Sequence, residues 1–259
     1  MTADRLSRLL HDLDDAGAAV LVMSPHLDDA VLSCGALLAH LAPRHLITVA
    51  TVFTAAAPPP WSLPARRQLR ELGGIDAEDF FARRRAEDAD VLAGFGAEQV
   101  HLGFRDALFR RGRRGPAYPT FRLDAARGRV ASCDIGLAAE VSARLSEIAR
   151  TGEAGVIFAP LGVGRHVDHL ITRQAAGQLG MPIRTVYYSD FPYSVTAEPD
   201  AGFVRRASLV PHPWLLGRAE NSSRIAGYRT QFAGLFRDGT VPTRPEVYWL
   251  PAKDSTTAA

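Results

Sequence analysis

Apolar positions along the chain fall into short continuous runs separated by stretches of helical periodicity. The runs "AAVLVM" (18–23), "LITVATVF" (46–53), "QVHLGF" (99–104), "GVIFAP" (155–160) and "IRTVYYSD" (183–190) are mostly apolar on both faces, which predicts strands of a covered parallel sheet. Between them the spacing predicts helices over 30–41, 77–94, 135–150 and 168–179, the last followed by the helix-stopping Gly180. This βαβ order predicts an α/β fold, a three-layer α/β/α sandwich around a Rossmann-like, mostly parallel sheet.

Two long stretches interrupt the alternation, 55–79 ("AAAPPPWSLPARRQLRELGGIDAED") and 105–129 ("RDALFRRGRRGPAYPTFRLDAARGR"). Both follow predicted strand ends. Ligands of open α/β sheets bind beyond the carboxyl ends of strands, so these insertions are expected to wall a substrate site. No internal repeat or domain boundary is visible, and 1–259 reads as one domain.

Composition narrows the function. The 30 basic and 28 acidic residues leave a formal net charge of only +2, which calls for neither nucleic acid nor an anionic membrane. The basic run "FRRGRRG" (109–115) has no aromatic ladder and reads as a solvated loop able to hold an acidic substrate. Two cysteines, Cys34 and Cys133, are too few for a disulfide framework, and no stretch has the length of a membrane span or the pattern of a signal peptide. The expectation is a soluble, cytoplasmic protein acting on a small molecule, with a homo-oligomer compatible with this pattern. His11, His40, His45, His101 and His212 read as structural, hydrogen-bonded histidines.

The chemistry lies at two strand ends. The first predicted strand runs into "SPHLDDAVLSCGALLAH" (24–40), and the fourth into "LGVGRHVDHL" (161–170). Adjacent carboxylates repel and are costly to bury, so Asp28 and Asp29 need a partner charge, although either can cap the helix that follows. Two His/Asp clusters at the carboxyl ends of parallel strands meet over one edge of the sheet. Imidazole and carboxylate suit Zn²⁺, with Fe²⁺ or another divalent first-row ion as alternatives. A catalytic site takes three such ligands and leaves a position for water. One Asp and one His then stay available for acid and base work. No "GxSxG" occurs, which disfavours a serine hydrolase.

The paired motifs resemble those of the PIG-L/LmbE-like family of metal-dependent N-deacetylases. "PHLDDA" (25–30) is similar to the family's "(A/P)HPDDE", and "HVDH" (166–169) to its "HPDH". The segment 83–107 is similar to its Arg/Glu helix, strand and Asp-bearing loop, and "RIAGYRTQF" (224–232) to a late "Y.SQ" helix. The resemblance implies His26, Asp29 and His169 as metal ligands and Asp28 as general base. It implies His166, oriented and charged by Asp168, as the group that assists the tetrahedral intermediate. Leu27 and Ala30 depart from the family's Pro and Glu. Asp106, Arg105 and Arg85 are candidates for holding sugar hydroxyls. The implied reaction is removal of an N-acetyl group from an amino sugar or glycoside. An amidase acting on a thiol conjugate and a non-catalytic metal-binding relative are the alternatives.

Overall fold

A computed structural model describes residues 5–71, 74–120 and 125–252; parts of the two insertions, residues 72–73 and 121–124, lie outside the described residues. The chain opens with helix α1 (Arg5–Ala16), whose Leu6, Leu9, Leu10 and Leu13 recur at helical spacing and are all buried. Strand β1 (Ala19–Ser24) and helix α2 (Asp29–Leu41) follow, then β2 (Ile47–Ala55), α3 (Leu63–Glu71), α4 (Ala77–Ala93) and β3 (Glu98–Arg105). A two-residue ribbon, β4 (Arg111–Gly112) with β5 (Gly115–Pro116), interrupts the order. Helix α5 (Leu137–Thr151), β6 (Ala154–Pro160), α6 (Val167–Ala176) and β7 (Arg184–Tyr188) resume it. The chain closes with α7 (Ala201–Arg206), β8 (Leu209–Trp214), α8 (Arg218–Ile225), α9 (Arg229–Leu235) and β9 (Glu246–Pro251).

The main sheet has seven strands in the order β3-β2-β1-β6-β7-β9-β8. The first five run parallel, and β9 is antiparallel to both of its neighbours. Strand order reverses between β1 and β6, and this switch point is where a ligand crevice is expected. Alternation along β1 shows why both faces are apolar. Val20 and Val22 join a core beneath α1, α2 and α4, while Leu21 and Met23 join a second core beneath α5 and α6. The sheet is therefore covered on both sides, as the continuous apolar runs predict.

Each of the five predicted strands and four predicted helices is present, with ends displaced by a few residues. The last three helices and strands β8 and β9 carry no clear periodicity. Pro211 and Pro213 argue against a strand, yet β8 is an edge of the sheet, where proline is tolerated. Helix α2 is anchored by close approach. A Cβ on Gly35 would lie 2.1 Å from Asn221 Oδ1, and the Asn221 amide donates to the Val31 carbonyl at 2.9 Å.

Candidate active site

The corner after β1 is set by Ser24, whose hydroxyl donates to the His26 carbonyl at 2.7 Å and accepts from the Ala30 N–H at 3.0 Å. Neither aspartate caps α2. Asp28 occupies the N-cap position without a side-chain cap bond, and Asp29 Oδ2 accepts from the His26 N–H at 2.9 Å. Both carboxylates are thereby free of the helix end and turned to the cleft.

The corner after β6 turns through Gly162 and Gly164, both at positive φ. A Cβ on Gly164 would lie 2.6 Å from the Tyr193 ring, so glycine lets Tyr193 stand edge-on to His169, with centroids 5.5 Å apart. His166 caps α6, its Nδ1 accepting from the Asp168 N–H at 3.3 Å. In the neutral ring this places the proton on Nε2.

The two corners meet. Asp29 Oδ2 lies 3.0 Å from His26 Nδ1 and 3.3 Å from His169 Nε2. The far side of each imidazole rests on a carboxylate: Asp168 Oδ2 is 3.0 Å from His26 Nε2, and Asp190 Oδ1 is 2.6 Å from His169 Nδ1. His169 Nε2 is buried and has no hydrogen-bond partner among the described residues. Ring nitrogens of His26, His166 and His169 also fall within 4.8 Å of one another. Imidazoles braced from behind by carboxylates, with their other nitrogens directed at a shared aspartate, are the arrangement of metal-binding histidines. The orphaned Nε2 marks where a cation fits.

The charge balance agrees. Asp28, Asp29, Asp106, Asp168 and Asp190 surround the cleft, and the guanidinium groups among them are those of Arg84 and Arg110. Burial pushes the Asp28 carboxyl up to about 7, against the pull of Arg84 at 3.4 Å. Burial opposes ionisation of Asp29 as well, but His169 and His26 bring it down to about 2. Asp168 is also desolvated, and Arg110 followed by His26 holds it well below the usual carboxylate range.

Several sequence expectations change. The Asp168 carboxylate braces His26, and burial pushes His166 down to about 3, so His166 is a neutral imidazole and not one charged by Asp168. Arg85 donates to the Thr54 carbonyl at 2.9 Å and to Glu78, while the preceding Arg84 enters the cleft; the phase of α4 decides which. Arg105 is exposed and stands outside the cleft, whereas Asp106 lines it, 3.8 Å from His26 Nε2. Arg110 is not part of a solvated run, being only 6% exposed.

Gln68 from the first insertion and Asp106 with Leu108 from the second line the cleft. Leu69 of the first insertion and Leu108 and Phe109 of the second pack with Phe80 and Phe81 of α4 in one small core, into which Leu27 is fully buried. Leu27 therefore ties the corner after β1 to the cleft walls. Tyr193, Gln231 and Asp190 were missed by sequence reasoning, although Asp190 ends a predicted strand on the same sheet edge, a signal that could have found it. His45 and His101 are structural, on Asp14 at 2.8 Å and Asp88 at 2.9 Å respectively.

Residues 21–179 match the family model for GlcNAc-PI de-N-acetylase, PIG-L. The chain belongs to the PIG-L family. Among curated relatives, the 2'-N-acetylparomamine deacetylase of Streptomyces fradiae is 37% identical over 67% of this chain and 57% of its own length. The enzyme of the same name from Niallia circulans is 26% identical over 92% of both chains. The zinc-inhibited form of teicoplanin deacetylase superposes with a TM-score of 0.72 at 25% identity, covering 92% of this chain and all of that one. This chain thus spans rather more than half the length of the Streptomyces relative. No helix among the described residues is long and apolar enough to cross a membrane.

Proposed function

We propose that this PIG-L protein is a metal-dependent N-deacetylase that hydrolyses the acetamido group of an N-acetylated sugar in a small glycoside, releasing acetate and a free amine. The observation that carries the reading is the convergence of His26 Nδ1 and the orphaned His169 Nε2 on Asp29, with Asp28 directly beside them. His26, Asp29 and His169 are the proposed ligands, and Zn²⁺ is the first candidate for this ligand set. When bound, such an ion supplies Lewis acidity that lowers the pKa of water and polarises an amide carbonyl.

The chain's own residues do the rest. Asp28, with a carboxyl held near neutrality by burial, takes the proton of the attacking water and returns it to the departing nitrogen. His166 donates its Nε2 proton to the developing oxyanion, as a neutral hydrogen-bond donor. Asp168 and Asp190 fix the ring orientations of His26 and His169. Asp106 and Arg84, which both line the cleft, are the candidates for holding sugar hydroxyls. The names of the two curated relatives, which are deacetylases of an N-acetylated aminoglycoside sugar, support the substrate class.

The test is acetate release from a panel of N-acetylated aminoglycoside sugars and glycosides, with N-acylated thiol conjugates in parallel. Metal-free protein is reloaded with Zn²⁺, Co²⁺, Fe²⁺ or Mn²⁺ over a concentration series, because zinc inhibits the teicoplanin enzyme. Turnover of sugar substrates is expected. Turnover restricted to thiol conjugates would establish the amidase alternative, and metal uptake without any hydrolysis would establish a non-catalytic relative.

A further inference from the structure

The basic run 109–115 contains four arginines, and three of them, Arg111, Arg113 and Arg114, are exposed. Arg110 is the exception. Its Nη2 lies 2.6 Å from Asp168 Oδ1, its Nε donates to Asp134 Oδ2 at 3.0 Å, and its Nη1 donates to the Arg105 carbonyl at 2.9 Å. The guanidinium carbon stands 4.9 Å from the centre of the Phe53 ring and 5.4 Å from that of Tyr118. Tyr118 completes a clamp, its hydroxyl donating to Asp134 Oδ2 at 2.5 Å and accepting from the Ala131 N–H at 3.1 Å. A charge this buried is costly to place, and here Nε and Nη1 each donate to an oxygen while Nη2 is in ion-pair contact with the Asp168 carboxylate.

The partner that matters is Asp168. Its Oδ1 faces Arg110, while its Oδ2 accepts from the Ala107 N–H at 3.0 Å and braces His26 Nε2 at 3.0 Å. Without Arg110, Asp168 would be a buried carboxylate with a single backbone donor, able to rotate toward other partners. We propose that Arg110, held by Asp134 and Tyr118, is a positioning residue that locks the Asp168 carboxylate against His26 and so sets the protein's affinity for its divalent ion. The second insertion then has two layers. Its outer arginines face solvent, and its inner arginine is part of the support of the metal centre. This inference rests on the proposal that His26 is a metal ligand.

The test is direct titration of metal-free protein with Co²⁺, followed by its visible spectrum, in wild type, Arg110→Met, Asp168→Asn and the double variant. Loss of a residue that braces a ligand typically weakens metal binding by about 10- to 100-fold, and that is the loss expected for each single variant. Because both act through one contact, the double variant is expected to bind no more weakly than the worse single one. Arg111→Ser, from the exposed layer, is expected to bind like wild type. If Arg110→Met does not fold, Arg110→Lys and Tyr118→Phe carry the test, with losses in the same direction of about three- to tenfold. A Co²⁺ Kd for the folded Arg110 variants within twofold of wild type, or losses that multiply in the double variant, would overturn the inference. Acetate release by wild type that persists without any metal uptake would instead overturn the metal assignment itself, and this inference with it.

Discussion

Two buried charged clusters flank helix α2, and they are built on opposite principles. At its C-terminal half, Glu246 accepts from the Ala36 N–H at 2.7 Å, the Leu37 N–H at 3.0 Å, the Tyr248 hydroxyl at 2.8 Å and Arg218 at 3.1 Å. At its N-terminal end, Asp28 has Arg84 at 3.4 Å, and Asp29 shares one oxygen between two imidazoles, one of which has an orphaned nitrogen. Burial acts in the same direction on both, pushing the carboxyls of Glu246 and Asp28 up. What separates them is partners. The Glu246 carboxylate is held by four donors of this chain, whereas Asp28 has a single guanidinium at 3.4 Å and Asp29 faces an imidazole nitrogen that has no hydrogen-bond partner among the described residues. A carboxylate saturated with donors serves the fold, whereas one short of donors is a candidate for function.

The sharpest way to break this contrast is to remove one of the imidazoles proposed as metal ligands. His169→Ala should lose the ion and, with it, at least about a thousandfold in kcat/KM, a loss that chelation of wild type reproduces and re-addition of metal reverses. Metal content by elemental analysis and acetate release check both parts, and a variant that kept its metal would show that His169 is not a ligand.

Next in size is Asp28→Asn, expected to retain metal and to lose about 10²- to 10⁴-fold in kcat, the range of a general base. Its stability should move the other way. The folded-state carboxyl is raised from 3.8 to about 7, so its ionisation destabilises the metal-free protein, not at all below pH 3.8 and fully above about pH 7. Melting of metal-free Asp28→Asn should therefore match wild type near pH 4 and exceed it at pH 8. An equal Tm difference at both pH values would contradict the assignment.

Glu246→Gln reports on the closed cluster. It leaves Arg218 buried without its anion and sets an amide NH₂ against N–H donors, which should cost about 1–3 kcal/mol by denaturant midpoint with kcat unchanged. A fall in kcat without a change in stability would mean that this cluster also serves the reaction.

The smallest effect is expected from the exposed arginines. Replacing Arg111, Arg113 and Arg114 by Ser should leave metal content and hydrolysis of a small neutral N-acetyl sugar intact, and raise KM for an anionic substrate by a few-fold at low salt only. Loss of metal in this triple variant would place these residues with Arg110.

How much of this was legible in the chain depends on distance along it. The five parallel strands were readable because burial on both faces leaves uninterrupted apolar runs, whereas α1 was not predicted, its leucines at helical spacing being interleaved with charged residues. His26, Asp28, Asp29, His166, Asp168 and His169 were legible because each motif sits immediately after such a run. Leu27 and Ala30, which look like losses from the family pattern, are both buried: Leu27 ties the corner to the insertions, and Ala30 enters the core beneath α2.

By itself, then, the amino-acid sequence determined the layers, the sheet edge and the chemical types gathered there, since these follow from local periodicity and from the rule that parallel strands open on one side. Tertiary structure alone decided which partner each group keeps. Asp168 serves His26 and not its neighbour His166, Arg84 and not Arg85 enters the cleft, and Arg110 turns inward while the arginines around it face water. Those choices depend on helix phase and on contacts such as Arg110 to Asp168, 58 positions apart, where electrostatic energy is set by ångströms and by burial that no local pattern encodes.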